Sequence, residues 1–356
     1  MKRLKVFFGS IIGIIIILNL GIIQIQKKQN KTTQKTVTIY NWGDYIDPDL
    51  IKKFEKETGY QVEYETFDSN EAMYTKLKQG GTHYDVVIPS DYMIQKLKAS
   101  GLLQKIDLTQ VPNVKYIDSR FMNLSFDEHN QYSIPYFWGT LGIVYNDKQY
   151  TKNDVDSWKK LWKPQFKNKI MMIDGARELM GIGLTYNGNS INSKDPHQLQ
   201  QAYYQLLKLM PNIKAIVSDE IKNYLITEEA QIAVTYSGEA HDMVSQNKHL
   251  HYVLPKEGTN LWFDNMVIPK NAQNINGAYA FINFMCEPQN AAQNARYIGY
   301  STPNKAAKQL LGKTITSNQA FYPSEAQLDK MEVYQNLGAK MLQKYNDLFL
   351  ELKMKH

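Results

Sequence analysis

The stretch VTIYNWGDYIDPDLIKKFEKETGYQVEYETF, residues 37–67, determines the class of fold. It begins with an apolar run that is typical of a buried strand. Asp47 and Pro48 then provide the capping acid and the first-turn proline of a helix. Gly59 is the residue type that ends helices, and the alternation of polar and apolar side chains after it indicates a second strand. The stretch therefore predicts a strand–helix–strand unit.

The same alternation continues along the chain. Asp68 or Ser69 is expected to cap a helix over residues 71–78. Residues 84–89 form another apolar run, predicted to be a buried strand, and Asp91 is interpreted as the cap of the next helix. The order βαβαβα favours an α/β fold with a mostly parallel sheet that helices cover on both faces.

A second set of elements follows an apolar segment at residues 134–145. Strands are expected at 169–174, 231–236 and 261–269, and helices from Gly175 onwards, at 196–210 and at 332–353. No internal sequence repeat is visible, which argues against a solenoid. A chain of 356 residues is long enough for two domains.

The formal net charge of +6 arises at the N-terminus. The first 35 residues hold seven basic side chains and no acidic one. Without them, 41 − 7 = 34 basic residues remain against 35 acidic residues, a net charge of −1. A nucleic-acid-binding domain concentrates basic residues, so this balance argues against a nucleic-acid partner.

The N-terminus is predicted to be a targeting or anchoring segment. Lys2, Arg3 and Lys5 precede residues 6–25, a run without charged side chains that is long enough to cross a bilayer as a helix. No small-residue cleavage pattern follows it, so an uncleaved anchor is expected rather than a secretory signal. The polar residues 26–35 are interpreted as a flexible tether. The protein is thus expected outside the cytoplasm, attached to the membrane, or secreted if the segment is cleaved.

A single cysteine limits the chemistry that this chain can use. Cys286 is far from the N-terminus, which excludes lipid attachment at a cysteine near the apolar segment. One cysteine also excludes an intrachain disulfide and a multi-cysteine metal site. Its apolar surroundings in sequence favour a small core residue.

Aromatic and acidic residues recur at the ends of predicted strands and at the starts of predicted helices. The loops 41–47 and 90–92 follow two parallel strands, so they are expected to lie close together. Rings beside carboxylates suit a ligand that is apolar along its length and positively charged. The alternative is that the rings pack on the core and the acids cap helices, as is expected for Asp91. The set comprises Trp42, Asp44, Tyr45, Glu178, Tyr236, Trp262, Asp264 and Tyr300.

Several motifs follow one another between Val37 and the C-terminus. The first is Tyr40-Asn41-Trp42-Gly43-Asp44-Tyr45, just after the apolar segment. The others, in chain order, are residues 69–77, 84–90, 132–139, 174–178, 262–264 and 298–304. Together they resemble the motifs of bacterial spermidine/putrescine-binding proteins, the substrate-capture subunits of polyamine ABC importers.

The resemblance implies a two-lobed, periplasmic-binding-protein-like fold of type II with a hinged cleft. Residues 1–36 would be the anchor or signal segment and its tether. Residues 37–139 with 264–308 would form lobe 1, and residues 140–263 with 309–356 would form lobe 2. The protein would bind a polyamine between the lobes as a monomer and deliver it to an ABC transporter permease, without a cofactor or a metal.

The resemblance also implies which side chains contact the ligand. They are Trp42, Asp44, Tyr45, Ser90, Tyr92, Glu178, Tyr236, Trp262, Asp264 and Tyr300. Two positions depart from the family pattern. Gly175 stands where many members carry a second acid, and Tyr236 stands where a tryptophan is common. A ligand-contacting glutamine is expected near the C-terminus, where Tyr334 and Gln335 compete for the position.

Three other classes of function compete with polyamine binding. An enzyme is disfavoured because the common catalytic motifs are absent from the sequence. The neighbouring His249 and His251 are expected on a surface turn rather than in a metal site. A ferric-ion carrier would explain tyrosines and acids but not Trp42 and Trp262, which cannot ligate iron. A membrane-tethered sensor is disfavoured by the short cytoplasmic end.

Overall fold

The computed structural model describes residues 35–218 and 220–355. The predicted anchor at residues 6–25 lies outside these residues. Within the described ranges, no helix combines the length and the apolar character needed to cross a membrane. Strands and helices alternate along the chain, as predicted for an α/β protein.

The strands form a mixed sheet. They are β1 (Thr36–Trp42), β2 (Gln61–Phe67), β3 (Val86–Val87), β4 (Ser133–Asn146), β5 (Ile170–Ile173), β6 (Ile213–Val217), β7 (Ile232–Tyr236), β8 (Leu250–Val253) and β9 (Leu261–Val267). Their order in space is β2-β1-β3-β9-β4-β7-β5-β6, and β8 pairs with β4.

Strand β4 connects two groups of parallel strands. In the first group, β1 is parallel to β2 and to β3, and in the second group β5 is parallel to β6 and to β7. The first half of β4 pairs antiparallel with β9, and its second half pairs antiparallel with β7 and β8. The predicted mostly parallel sheet is therefore correct for each group. It is wrong for the middle of the sheet, because β4 and β9 run side by side in opposite directions.

Helices flank both strand groups. They are α1 (Pro48–Thr58), α2 (Asn70–Gln79), α3 (Asp91–Ala99), α4 (Lys152–Val155), α5 (Ala176–Tyr186), α6 (Pro196–Leu209), α7 (Glu220–Ile226), α8 (Ser237–Gln246), α9 (Ile275–Met285), α10 (Pro288–Ile298), α11 (Lys305–Leu311), α12 (Lys313–Thr316), α13 (Glu325–Leu328) and α14 (Ala339–Met354). Short 3₁₀ helices lie at Leu108–Gln110, Pro112–Tyr116, Ser119–Phe121, Glu128–Asn130, Trp158–Trp162, Pro164–Phe166 and Met210–Asn212.

The helix ends near the N-terminus follow the local sequence signals. The Asp47 side chain accepts a hydrogen bond from the Asp49 amide at the start of α1, and Gly59 ends that helix with a φ of 75°. Ser69, one of the two candidates, caps α2 by accepting from the Ala72 amide. These predictions are confirmed because capping depends on residues that are adjacent in the chain.

Tertiary contacts shorten the predicted C-terminal helix. It begins at Ala339 rather than at Glu332. The Glu332 carbonyl accepts from the Leu261 amide, and its own amide donates to Thr259, so these main-chain groups are unavailable to a helix. The predicted strand at 84–89 is also shorter, since its ladder pairing is confined to Val86–Val87.

The pairing of β4 brings the carboxyl ends of the two groups of parallel strands together. Tyr236, the last residue of β7, pairs with Leu141 near the middle of β4. Strand β3 is antiparallel to β9, which is antiparallel to the first half of β4, so β1 and β3 run in the same direction as that half. The carboxyl ends of both parallel groups are therefore directed towards the middle of β4, where ligands are expected in such sheets.

Candidate functional site

The first polar cluster of the site surrounds Asp264. One carboxylate oxygen accepts from the Tyr45 hydroxyl at 2.7 Å and the other from the Ser90 hydroxyl at 2.6 Å. Tyr45 lies in the loop after β1, Ser90 lies after β3, and Asp264 belongs to β9. The two loops thus meet at one carboxylate, as their parallel strands predicted. We call Tyr45, Ser90 and Asp264 the Asp264 centre.

Burial makes the Asp264 carboxyl a weaker acid than usual. It raises the pKa of Asp264 to about 6, against the opposing effect of the hydrogen bonds from Ser90 and Tyr45. Within the described part of the chain, no basic side chain neutralises this carboxylate. A cation placed beside it would favour the ionised form, so the Asp264 centre is suited to hold a positive group.

Asp91 differs from its sequence interpretation. It is the first residue of α3, and Ser90 rather than Asp91 occupies the N-cap position. The buried carboxyl of Asp91 accepts from its neighbour Tyr92 at 2.6 Å and from the Phe263 amide at 3.0 Å. Burial raises the pKa of Asp91 to about 8. Asp91 therefore connects α3 to β9 directly beside Asp264, and the interpretation as a cap alone is wrong.

The second polar cluster surrounds Glu178, in the first turn of α5. Its carboxylate accepts from the Tyr236 hydroxyl at 2.7 Å. Tyr334 shares a small cavity with Glu178, and burial, followed by the Glu178 charge, raises the pKa of Tyr334 well above its ordinary value. We call Glu178, Tyr236 and Tyr334 the Glu178 centre.

Tyr334, not Gln335, faces the site. Tyr334 is buried, whereas the Gln335 side chain is exposed. The main chain of Gln335 is hydrogen-bonded on both sides, with its amide donating to Asn192 and its carbonyl accepting from Arg177.

Edge-to-face rings connect the two centres. The Tyr45 ring lies 5.6 Å from the Tyr300 ring, Tyr300 lies 5.0 Å from Trp262, and Trp262 lies 6.2 Å from Tyr236. The interplanar angles are 72°, 90° and 84°, the geometry that aromatic pairs favour. A continuous series of contacts thus runs from one carboxylate to the other.

Two glycines leave room for these side chains. Gly139 pairs with Trp262 across β4 and β9, and a Cβ at Gly139 would lie 2.3 Å from Cζ2 of the indole. A Cβ at Gly175 would lie 2.0 Å from the Glu178 carboxylate. An acid at position 175 therefore requires Glu178 to move, so the departure from the family pattern at Gly175 also determines where Glu178 lies.

Trp42 and Asp44 lie apart from this series of contacts. Trp42 packs against Phe67 with ring centroids 4.6 Å apart. The indole nitrogens of Trp42 and Trp262 are buried, and neither has a hydrogen-bond partner among the described residues. Asp44 is exposed and adopts a φ of 48° in its loop. The structure thus places Trp42 partly on the core, which is the alternative that its sequence left open.

Tyr92 lies beside the two centres, and among the described residues its hydroxyl bonds to neither the Asp264 nor the Glu178 carboxylate. Its hydroxyl donates to Glu71 at 3.4 Å. Burial raises the pKa of Tyr92 well above its ordinary value, and the charges of Glu71, Glu178 and Asp91 add to the shift. Of the predicted residues, those in the continuous series are Ser90, Asp264, Tyr45, Tyr300, Trp262, Tyr236 and Glu178.

The histidine pair lies elsewhere. His249 and His251 both bind the Asp147 carboxylate, at 2.9 and 2.8 Å, on the surface of the second strand group. His251 belongs to β8 rather than to a turn. In the described part of the chain, no group of three or more His, Cys, Asp or Glu side chains is arranged to hold a metal ion.

The chain as a whole is similar to known proteins. The sequence pattern of the bacterial extracellular solute-binding proteins matches residues 49–323. The spermidine/putrescine-binding periplasmic protein of Escherichia coli K12 is 39% identical over 306 residues, which are 85% of this chain and 88% of that protein.

Two solved structures are also similar to this chain. A putative spermidine/putrescine ABC transporter from Listeria monocytogenes is 57% identical with a TM-score of 0.83, covering 90% of this chain and 100% of that one. The spermidine/putrescine ABC transporter substrate-binding protein PotD from Streptococcus pneumoniae is 55% identical with a TM-score of 0.85, covering 90% and 99%.

Proposed function

This chain belongs to the bacterial extracellular solute-binding proteins, and from that premise we propose that it captures a polyamine of the spermidine/putrescine class outside the cytoplasm and delivers it to an ABC transporter permease. The family is one of receptors with a two-lobed α/β fold, and the polyamine ligands in the names of its relatives agree with the site. We propose that the chain is a receptor and not an enzyme.

The observation that carries the proposal is the series of rings between two carboxylates. Asp264 and Glu178 each provide an anion, and Tyr300, Trp262 and Tyr236 lie between them. A polyamine has ammonium groups separated by methylenes. Its charges match the two acidic centres, and its apolar segments match the rings.

The magnitudes explain why both kinds of group are needed. Burying four methylenes contributes about 3 kcal/mol at roughly 0.8 kcal/mol each. A cation over a ring adds about 0.5–2 kcal/mol, and each charged hydrogen bond about 1.5–3 kcal/mol. Association costs roughly 4–15 kcal/mol, whereas micromolar affinity requires a net of about 8 kcal/mol. Neither rings nor acids alone reach that value, so a site that combines both is expected.

We propose that the predicted site residues contact the ligand when the lobes close. Lobe 1 would comprise residues 37–139 with 264–308, and lobe 2 residues 140–263 with 309–356. The first half of β4 pairs with β9 and its second half pairs with β7. This change of partner supports a crossing of the chain from one lobe to the other near Gly139. The set proposed for ligand contact is Trp42, Asp44, Tyr45, Ser90, Tyr92, Glu178, Tyr236, Trp262, Asp264 and Tyr300.

The location and partner are proposed on the same basis. The relative from Escherichia coli is named a periplasmic protein, which supports a position outside the cytoplasm. We propose that the apolar segment at residues 6–25 attaches the protein to the membrane and that the closed monomer docks on the permease. A ferric-ion carrier is the alternative, and the buried indole of Trp262 in the ring series argues against it because an indole does not ligate iron.

Calorimetry on the full-length protein in mild detergent tests the proposal. The titrants are putrescine, spermidine, a neutral diol of the same length as putrescine, and ferric citrate. Saturable heat with the polyamines and none with the diol would support the proposal, because the diol has the same apolar segment but lacks the positive charges that the acids would bind. Saturable heat with ferric citrate, and none with either polyamine, would refute the proposal.

A further inference from the structure

Gly238 is the second residue of α8, the helix that begins directly after Tyr236 of the Glu178 centre. Glycine within a helix is less favourable than alanine by up to about 1 kcal/mol. A positive φ, which would explain a glycine, does not occur here, because Gly238 is absent from the residues with left-handed backbone among those described. The backbone conformation of α8 therefore does not explain why a glycine occupies position 238.

The ring of Tyr300 provides that reason. A Cβ at Gly238 would lie 1.9 Å from Cε1, 2.1 Å from Cζ and 2.3 Å from Cδ1 of Tyr300. Carbon atoms in contact are about 3.5–4 Å apart, so no side chain fits while the ring stays in place. The Tyr300 ring therefore packs directly on the bare backbone of the helix.

The contact is reciprocal. Gly299 precedes Tyr300, and a Cβ there would lie 2.6 Å from Nδ1 of His241. His241 lies three residues after Gly238, on the same face of α8. Each segment thus places one ring on the glycine of the other, and together they interlock the end of α10 with the start of α8.

The position of Tyr300 matters to the site because its ring is central to the series between the two carboxylates. It contacts Tyr45 of the Asp264 centre at 5.6 Å and Trp262 at 5.0 Å. A Cβ at position 238 would push the ring towards these two neighbours or separate the segments that carry them.

We infer that Gly238 is a positioning residue of the polyamine site. Because it has no side chain, the Tyr300 ring can pack against the backbone of α8, and we call this contact the seat of Tyr300. The inference rests on the proposed function. Tyr300 falls in proposed lobe 1 and Gly238 in proposed lobe 2, so the seat determines how closely the lobes approach. Gly238 itself is not proposed to touch the ligand.

A double-mutant cycle tests the inference in the full-length protein. Gly238→Ala, Tyr300→Ala and the combined variant are titrated with spermidine by calorimetry. Gly238→Ala is expected to weaken spermidine binding about tenfold while Tyr300 is present, and to have no further effect once Tyr300 is alanine. The control is Gly81→Ala, where a Cβ meets nothing within 4 Å, and affinity should be unchanged.

Urea unfolding of the same variants without ligand tests the contact independently of binding. Gly238→Ala is expected to lower the urea midpoint in the presence of Tyr300. It should raise the midpoint when residue 300 is alanine, because alanine is the better helix former. If Gly238→Ala disturbed packing in general, it would lower the urea midpoint with either residue at position 300. A change from a lowered to a raised midpoint therefore points to the contact with the Tyr300 ring. If Gly238→Ala alone fails to fold, recovery of folding in the combined variant gives the same result.

The outcomes separate the two proposals. If the effects of Gly238→Ala and Tyr300→Ala on the urea midpoint are additive, the contact between these two residues is refuted, whether or not polyamines bind. Normal spermidine affinity in Gly238→Ala would refute the positioning role while leaving the proposed function intact. If the unsubstituted protein binds no polyamine, the proposed function fails, and the positioning role in a polyamine site fails with it even if the midpoints show the contact.

Discussion

The Asp264 centre and the Glu178 centre hold their carboxylates in different ways. Burial is almost the same, since 6% of Asp264 and 9% of Glu178 is exposed. Asp264 is a short side chain on a strand and accepts two hydroxyl hydrogen bonds. Glu178 is a longer side chain in the first turn of a helix, and the Tyr236 hydroxyl donates to it.

This difference indicates a rigid end and an adaptable end of the site. Two hydroxyls on opposite oxygens leave Asp264 few rotamers, whereas the extra methylene of Glu178 allows its carboxylate to shift. The Glu178 carboxylate occupies the space that a side chain at position 175 would fill, since a Cβ at Gly175 would lie 2.0 Å from it. We therefore expect the Asp264 centre to contribute more to affinity and the Glu178 centre to respond more to the length of the polyamine.

The largest effect is expected from Asp264→Asn. It should weaken spermidine and putrescine binding roughly 10- to 150-fold, the equivalent of one charged hydrogen bond of about 1.5–3 kcal/mol. Because the substitution removes a buried charge, the urea midpoint of the unliganded protein should not fall. Asp329→Asn, at an exposed acid, is the matched control. Loss of both affinity and stability would show that Asp264 is structural.

Lowering the pH from 7 to 5 should weaken spermidine binding about tenfold, which is the lower end of the loss expected for Asp264→Asn. With a pKa of about 6, the ionised fraction of Asp264 falls from about nine tenths at pH 7 to one tenth at pH 5, so affinity should fall about tenfold. Calorimetry at both pH values measures this. In Asp264→Asn the difference should disappear, and its persistence would assign the titration to another group.

Stability should depend on pH in the opposite direction. Burial raises the pKa of Asp264 from 3.8 to about 6 and that of Asp91 from 3.8 to about 8. A raised pKa in the folded state means that the contribution of these carboxyls to stability is complete below about pH 4. It is lost as the pH rises through 6 and 8. Urea midpoints of Asp264→Asn and the unsubstituted protein should therefore diverge between pH 4 and pH 7.

A smaller effect is expected from Glu178→Gln. A glutamine can still accept from the Tyr236 hydroxyl and can change its orientation. The loss of affinity should therefore be about five- to tenfold, somewhat less than a full charged hydrogen bond. The ratio of putrescine to spermidine affinity should change more than in Asp264→Asn. Glu351→Gln, at an exposed position, is the control. An unchanged ratio would contradict the idea of an adaptable end.

The smallest effect on affinity is expected from Asp91→Asn, which should remain within about twofold. Its carboxyl serves two backbone amides, and an asparagine has one oxygen to offer. One buried amide then loses its partner, so unfolding should become easier by about 1–3 kcal/mol. Urea unfolding and calorimetry measure the two quantities. An affinity loss like that of Asp264→Asn would make Asp91 a ligand contact.

Much of the fold was predictable because its signals are local. Asp47, Ser69 and Gly59 act on main-chain groups a few residues away, so their roles follow from neighbouring sequence. The C-terminal helix was predicted too early because Glu332 pairs with main chain that is distant in sequence. The sequence does contain one signal for the observed start of this helix. It is Gly338, which adopts a φ of 80° directly before the first helical residue.

The site was predictable as a set of residue types but not as an arrangement. Acids and rings at strand ends indicated a cationic, elongated ligand, and the family motifs identified the positions. Nothing in the neighbouring residues indicated that Asp91 would reach Phe263, or that Tyr334 rather than Gln335 would face Glu178. These contacts depend on how segments far apart in the chain pack together.

The sequence by itself determined the alternation of strands and helices, the caps, the neutral body and the residue types of the site. Only the tertiary structure decided that Tyr45 and Ser90 share the carboxylate of Asp264, which lies 219 and 174 positions further along the chain. It also decided that Tyr300 rests on Gly238. The physical reason is that propensities and caps act within a few residues. A shared hydrogen bond or a ring seated on a glycine depends instead on the packing of whole elements.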